Sequence, residues 1–381
     1  MFTFLIYQSC KPLRELKRIP AYKGVIPQSS YAPKHDGDKK TIIVLANTDG
    51  TELFDLLAPF YLFSITEQSN VYIVTENKKP ISLLKGAFIM PHYTFRELDS
   101  MNIQPDVIVL PAMLNTFKEP NSITQKWIKE KYTAKNRVLS ICVGSLAGAA
   151  TGIYDNKRIT THASDFGRSK AYFTKPIWIQ NTTVVQEGNL YSTAGVSNAV
   201  EGSLTVINEL YGKETLNNVM RKIHYQYDTI KRSHKSLTIT LANKLTIMKK
   251  FVFNRNTRIG VLLQDGADEL EFAAMMDVCN RTIPLYSDAF TLSGSSIISK
   301  HGLVFLPGAS LDSIKLNELH ILNPQQLTNN DFEVLKKNTK VKVVPHTIPE
   351  NKYMIDYCLE NISGKYGKKY INITKLLLDY N

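Results

Sequence analysis

The chain has 381 residues, an apolar share of 43% and a formal charge of +12. That length suits two cores better than one, and no run of about eighteen apolar residues offers a membrane span. The basic excess is scattered, densest over 222–258, without a helix-turn-helix pattern, zinc finger or basic zipper, so no nucleic-acid partner is expected. Cys10, Cys142, Cys279 and Cys358 have no paired spacing; neither a disulfide framework nor a metal site is expected, and no cofactor.

In chain order, the apolar Met1–Tyr7 is followed by Lys11, Arg14, Lys17 and Arg18. It is either a frayed end packed on the domain or the stub of a trimmed membrane anchor or signal segment. The expected location is cytoplasmic in the first case and membrane-anchored in the second. Residues 1–40 otherwise read as an extended leader, with Pro12, Pro20, Pro27 and Pro33 spaced through a polar stretch. A short buried strand, Thr41–Ala46, ends in a turn at 47–50. Helical spacing runs from Glu52 to Thr66, and strands follow at Val71–Thr75 and Val107–Leu110. Then come a helix at Ile123–Tyr132 and a strand at Val138–Ile141. Strands alternating with helices predict a mostly parallel sheet covered on both faces. The first domain spans 41–227, and 228–256 reads as a solvated basic linker.

The same grammar returns over 257–381. Thr41–Gly50 lies over Thr257–Gly266, which sets Asp55 over Glu271, and Gly86–Pro91 lies over Gly302–Pro307. With a small deletion, Val107–Leu110 meets Leu319–Leu322, and Val138–Cys142 meets Lys342–His346, so His346 stands at the cysteine position. Tyr211-Gly-Lys213 and Ser363-Gly-Lys365 each precede a closing helix. This internal similarity predicts a duplication. The second copy lacks a counterpart of roughly 143–195 and is expected to carry no active site.

Ser140-Ile-Cys142-Val-Gly144 follows a strand and opens a helix, Leu146–Thr151. A nucleophile on a sharp strand-to-helix turn needs a small residue two positions on, which Gly144 supplies. The helix N-terminus is expected to favour the thiolate, and the Val143 N–H to face a developing oxyanion. Position alone leaves a buried inert cysteine equally open.

The run from Ser140 to Thr160-Thr-His162 resembles the elbow, short helix and Thr-Thr-His strand of the ThiJ/PfpI family. It is similar to the branch holding isonitrile hydratases and the sensor domains of AraC-type regulators. Ser192-Thr-Ala-Gly195-Val-Ser197 resembles the family's Ala-Gly loop, and Thr51–Pro59 its first helix. The resemblance implies two flavodoxin-like (class I glutamine amidotransferase-like) α/β/α domains, the second truncated. It makes Cys142 the nucleophile or redox-sensitive thiol, Asp55 the carboxylate near its sulfur, and His162 an acid or base, or only a shaper of the pocket. Glu52 and Ser197 are weaker pocket candidates. Where the family has Pro-Gly-Gly this chain reads Pro111-Ala112-Met113, so the oxyanion donor at Ala112 is in question. No His-x-Glu pair follows the elbow, which argues against glutamine amidotransfer. A cysteine-dependent hydrolase or hydratase acting on a small molecule is the leading reading; a non-enzymatic redox or ligand sensor is the alternative. Assembly as an internal pseudo-dimer or a homodimer is the expected quaternary arrangement.

Overall fold

The computed structural model describes residues 21–27, 32–84, 86–236, 240–253, 257–282, 286–308, 315–337 and 341–380. The apolar Met1–Tyr7 and the basic residues after it lie outside them. No helix among the described residues is long and apolar enough to cross a membrane.

The first half holds β1 (Lys40–Leu45), α1 (Leu53–Ser64), β2 (Ser69–Thr75), β3 (Ile81–Ser82), β4 (Ala87–Ile89), β5 (Tyr93–Thr94) and α2 (Phe95–Ser100). It continues with β6 (Val107–Leu110), α3 (Ile123–Lys131), β7 (Arg137–Ser140), α4 (Gly144–Ala150), β8 (Arg158–Ile159), α5 (Phe166–Tyr172) and β9 (Ile177–Trp178). A hairpin of β10 (Val184–Glu187) and β11 (Leu190–Thr193) leads to α6 (Ala199–Lys222). The main sheet runs β10-β11-β7-β6-β1-β2-β5, parallel except where β10 meets β11. α1 and α6 pack on one face; α2, α3 and α4 cover the other. This is the expected flavodoxin-like three-layer order.

The second half holds α7 (Leu241–Phe253), β12 (Arg258–Leu262), α8 (Glu269–Arg281), β13 (Tyr286–Phe290), β14 (Ile297–Ile298) and β15 (Val304–Pro307). After these come β16 (Glu318–Ile321), α9 (Asn329–Lys337), β17 (Lys342–Pro345), α10 (Met354–Tyr366) and α11 (Lys368–Leu378). Its parallel sheet runs β13-β12-β16-β17, the order of β2-β1-β6-β7 in the first half. The hairpins of the two halves join edge to edge as β14-β15-β4-β3. There Phe305 lies opposite Ile89 and Leu306 opposite Phe88. Ile89 and Phe305 are 216 residues apart, the offset that sequence set between the two halves.

Two registers read from sequence shift. The His346 amide bonds the Ile321 carbonyl, as the Ile141 amide bonds that of Leu110. His346 thus occupies the position of Ile141, one residue before the cysteine. Strand pairing likewise sets Glu318, not Leu319, against Val107. β12 shifts as well: Ile42 matches Ile259 in the strands, an offset of 217, whereas the helix caps Glu52 and Asp268 keep 216, so the turn before α8 is one residue shorter than the turn before α1, a difference apolar pattern alone cannot place. The glycine that breaks the closing helix is Gly367, not Gly364: φ is 80° at Gly367 and 82° at Gly212, and Tyr366-Gly367-Lys368 repeats Tyr211-Gly212-Lys213.

The 228–256 segment also differs from a solvated linker. Thr183 bonds the Lys231 carbonyl through its hydroxyl at 2.6 Å and the Arg232 carbonyl through its amide at 3.2 Å. Ile230 and His234 are buried. The segment satisfies backbone groups at the sheet's edge, after which α7 forms with Leu241, Leu245 and Met248 exposed.

Candidate active site

α1 sits at the centre of the molecule, and every residue from Leu53 to Phe63 is buried. A helix apolar all round has no solvent face; α6 and α8 cover the sides the sheet does not. That packing carries Asp55 into the interior. The Glu52 carboxylate caps the helix, accepting the Asp55 N–H at 2.7 Å.

Cys142 lies between β7 and α4 with φ of 54°. A side chain in the left-handed region costs about 1–3 kcal/mol unless its surroundings fix it, and here they do. The Cys142 carbonyl accepts from Ser145 Oγ at 2.9 Å and Thr161 Oγ1 at 3.0 Å, and its amide reaches Thr193 Oγ1 at 3.4 Å. Gly144 is required by space: a Cβ there would stand 2.0 Å from the Leu110 carbonyl oxygen. The Val143 N–H donates to the sulfur, so it faces Cys142 as expected.

The charge state does not follow the sequence expectation. Burial, reinforced by Asp55 and Glu52, pushes the Cys142 thiol well above its ordinary range, and the Val143 amide offsets only part of this. Desolvation penalises the anion more than the short helix α4 rewards it. The sulfur is held as a thiol.

Asp55 is protonated for the same reason. Burial raises its carboxyl to about 8, against the lowering effect of an N–H donated by Ala112. That bond, 3.1 Å to Asp55 Oδ2, occupies the amide that sequence assigned to the oxyanion. Ala112 itself is not in the left-handed region, so alanine is tolerated there. Asp55 Oδ1 is buried and accepts no N–H or hydroxyl, while the Asp55 side chain shares a hydrogen bond with the Glu52 carboxyl. Glu52 is raised by burial, then by Asp277 and Asp55.

The second half supplies the cation. Arg281, the last residue of α8, reaches Glu52 at 3.2 Å and Asp277 at 3.0 Å. It also donates to the Leu377 carbonyl at 2.7 Å. Ser197 holds the same closing segment: its amide donates to the Leu378 carbonyl and its hydroxyl to the Asp379 carbonyl, both at 3.2 Å. Asp379 fits against Gly195, where a Cβ would meet its own Cβ at 2.2 Å, and lies 3.1 Å from His234. His162 accepts the Ser164 N–H on Nδ1 at 3.1 Å and bonds the Leu377 carbonyl; burial lowers its pKa. It is a neutral ring tied to the closing segment.

The structure thus gathers Cys142, Val143, Asp55 and Glu52 at the sulfur, with Ala112 behind Asp55. His162 and Ser197 meet the segment 377–379, which seals the site. Sequence reading missed Arg281, Asp277 and this segment. Nothing local marks them, because they reach Cys142 only through packing between the halves.

Residues 39–209 match the model of the DJ-1/PfpI family. Isonitrile hydratase from Pseudomonas putida is 27% identical over 173 residues, 45% of this chain and 72% of that protein. Glutathione-independent glyoxalase DJ-1 from Schizosaccharomyces pombe is 24% identical over 193 residues, 48% of this chain and 97% of that one. Among solved structures, a ThiJ/PfpI family protein from Pseudomonas syringae covers 56% of this chain and 87% of its own at 19% identity, with a TM-score of 0.45.

Proposed function

From the premise that residues 39–209 form a DJ-1/PfpI family domain, we propose that this protein uses Cys142 to hydrate a small electrophilic carbon, with an isonitrile the best-fitting substrate. The observation that carries the reading is the buried Asp55 carboxyl, raised to about 8, whose charge acts on the elbow sulfur. A neutral thiol beside a neutral acid suits acid-assisted addition better than thiolate attack.

In the proposed sequence the terminal isonitrile carbon takes a proton from Asp55 as the Cys142 sulfur bonds to it, and the thiol proton returns to Asp55. A thioformimidate results. Water then adds to that carbon, the C–S bond breaks, the thiol is restored, and an N-substituted formamide leaves. One water is consumed and no electrons are exchanged. Val143 N–H steadies the sulfur. Arg281 keeps Glu52 in place without touching the reacting atoms. Entry requires the segment at Leu377–Asp379 to move, since Cys142 is only 4% exposed. Isonitrile hydratase from Pseudomonas putida supports the substrate class. The sensor reading has less support, because a buried protonated thiol reacts slowly with peroxide.

We further propose that the halves form an internal pseudo-dimer by duplication. The shared strand order and the opposition of Ile89 and Phe305 support it.

The test is formamide production from n-butyl isonitrile, followed by NMR. Cys142→Ser is expected to abolish turnover, and Asp55→Asn to slow it by about 10²-fold or more, the usual worth of a positioned general acid. Turnover unchanged in Cys142→Ser would overturn the proposal.

A further inference from the structure

The second sheet carries a void where the first is packed. Between β12, β16, β17 and the helices α8 and α10 lies a cavity of about 380 Å³, within the range of small-ligand sites. The strand registers explain what lines it. In the first half the corresponding face presents Val107, Val109 and Ile141, all fully buried. In the second half those positions are Glu318, His320 and His346. The covered face of a parallel sheet is ordinarily a near-continuous apolar surface, and polar groups placed there are costly unless satisfied.

They form a line of their own. His320 Nδ1 and His346 Nε2 are 2.8 Å apart, with rings 5.0 Å apart and 14° from parallel. His346 Nδ1 meets the Tyr357 hydroxyl at 3.1 Å, and His320 Nε2 is 3.6 Å from Glu318. Burial lowers His346 to about 4, so its ring is neutral. Beside this line on the sheet stands Ile259, and opposite it the helices present Met275 and Ile362. In the first half β11 extends the sheet beyond β7 and places Tyr191 in the core. Among the described residues the second sheet ends at β17, whose exposed Lys342 also lines the cavity and marks a route to solvent.

We propose that this cavity is a second binding site, for a small uncharged organic molecule with an apolar body and one hydrogen-bonding head. The body lies against Ile259, Met275 and Ile362, and the head meets His346 and Asn361. A charged ligand would meet opposed partners, because Glu318 and Lys342 both line the space. The site is independent of Cys142 and of the reaction proposed there.

The experiment uses the full chain carrying Cys142→Ser, titrated with indole and separately with p-cresol. Expected are saturable shifts of the His320 and His346 imidazole resonances with a rise in Tm. His320→Val with His346→Ile, the residues of the first sheet, removes the Tm rise. Ile362→Trp fills the space, leaves both histidines in place and removes the resonance shifts. Imidazole resonances unmoved by either probe up to its solubility limit would overturn the proposal, as would binding that survives Ile362→Trp.

Discussion

Asp55→Asn separates the charge argument from the packing argument, because asparagine keeps the shape and still accepts the Ala112 N–H. A carboxyl raised from 3.8 to about 8 by burial binds its proton more tightly folded than unfolded. Stability is then fully present below the unfolded value and is lost as pH rises through the folded one. Between pH 5 and 8 the unfolded chain ionises Asp55 freely while the folded chain resists. At about 1.4 kcal/mol per pH step this amounts to an upper figure of about 3–4 kcal/mol lost by the native protein. The variant lacks this term and keeps the contribution of Glu52. Urea unfolding at pH 5, 6, 7 and 8 should therefore show the gap between wild type and Asp55→Asn moving in favour of the variant by one to several kcal/mol. Parallel profiles would refute the claim that Asp55 is held protonated.

Two further substitutions test the elbow and the contact between the halves. Gly144→Ala places a methyl against the backbone oxygens of Leu110 and Pro111, which cannot yield as a side chain would; a loss of about 1–3 kcal/mol in chemical unfolding is expected, along with loss of turnover. Arg281→Leu strands Asp277 and Glu52 without their cation, and breaking a buried pair from one side typically costs about 3–5 kcal/mol; the same unfolding assay at pH 7 measures it, and a loss below about 1 kcal/mol would contradict the buried pairing.

Local pattern made the first half legible. The apolar strand at Val107–Leu110, the helical spacing after Glu52 and the glycine two positions beyond Cys142 each predict the element found. The electrostatics were less legible, because the field of a short helix such as α4 can be read from sequence whereas the depth of Cys142 cannot. Desolvation depends on α1 and, more than a hundred residues further along the chain than Cys142, on α8 and the segment at 377–379. The same reasoning explains the missed Arg281. The slipped register at His346 has another origin: a one-residue difference in loop length shifts a strand without altering its hydrophobicity, and only the pairing of His346 N–H with Ile321 O resolves it.

The burial of α1 has a consequence for the first half in isolation. Phe54, Phe60 and Phe63 are each at most 1% exposed, and part of that shelter is α8. A chain ending at Ser236 would keep the sheet, α6 and the elbow, yet would turn the α8-facing side of α1 to water. It would also leave Glu52 without Arg281. At about 1.5–3 kcal/mol for each large apolar side chain uncovered, exposing even three would consume much of the 5–15 kcal/mol by which a domain is ordinarily stable. A fragment spanning residues 32–236 is therefore expected either to pair with a second copy through α1 or to unfold. Sedimentation at low micromolar concentration distinguishes these outcomes, and a stable folded monomer would show that α8 is dispensable for the core that positions Asp55.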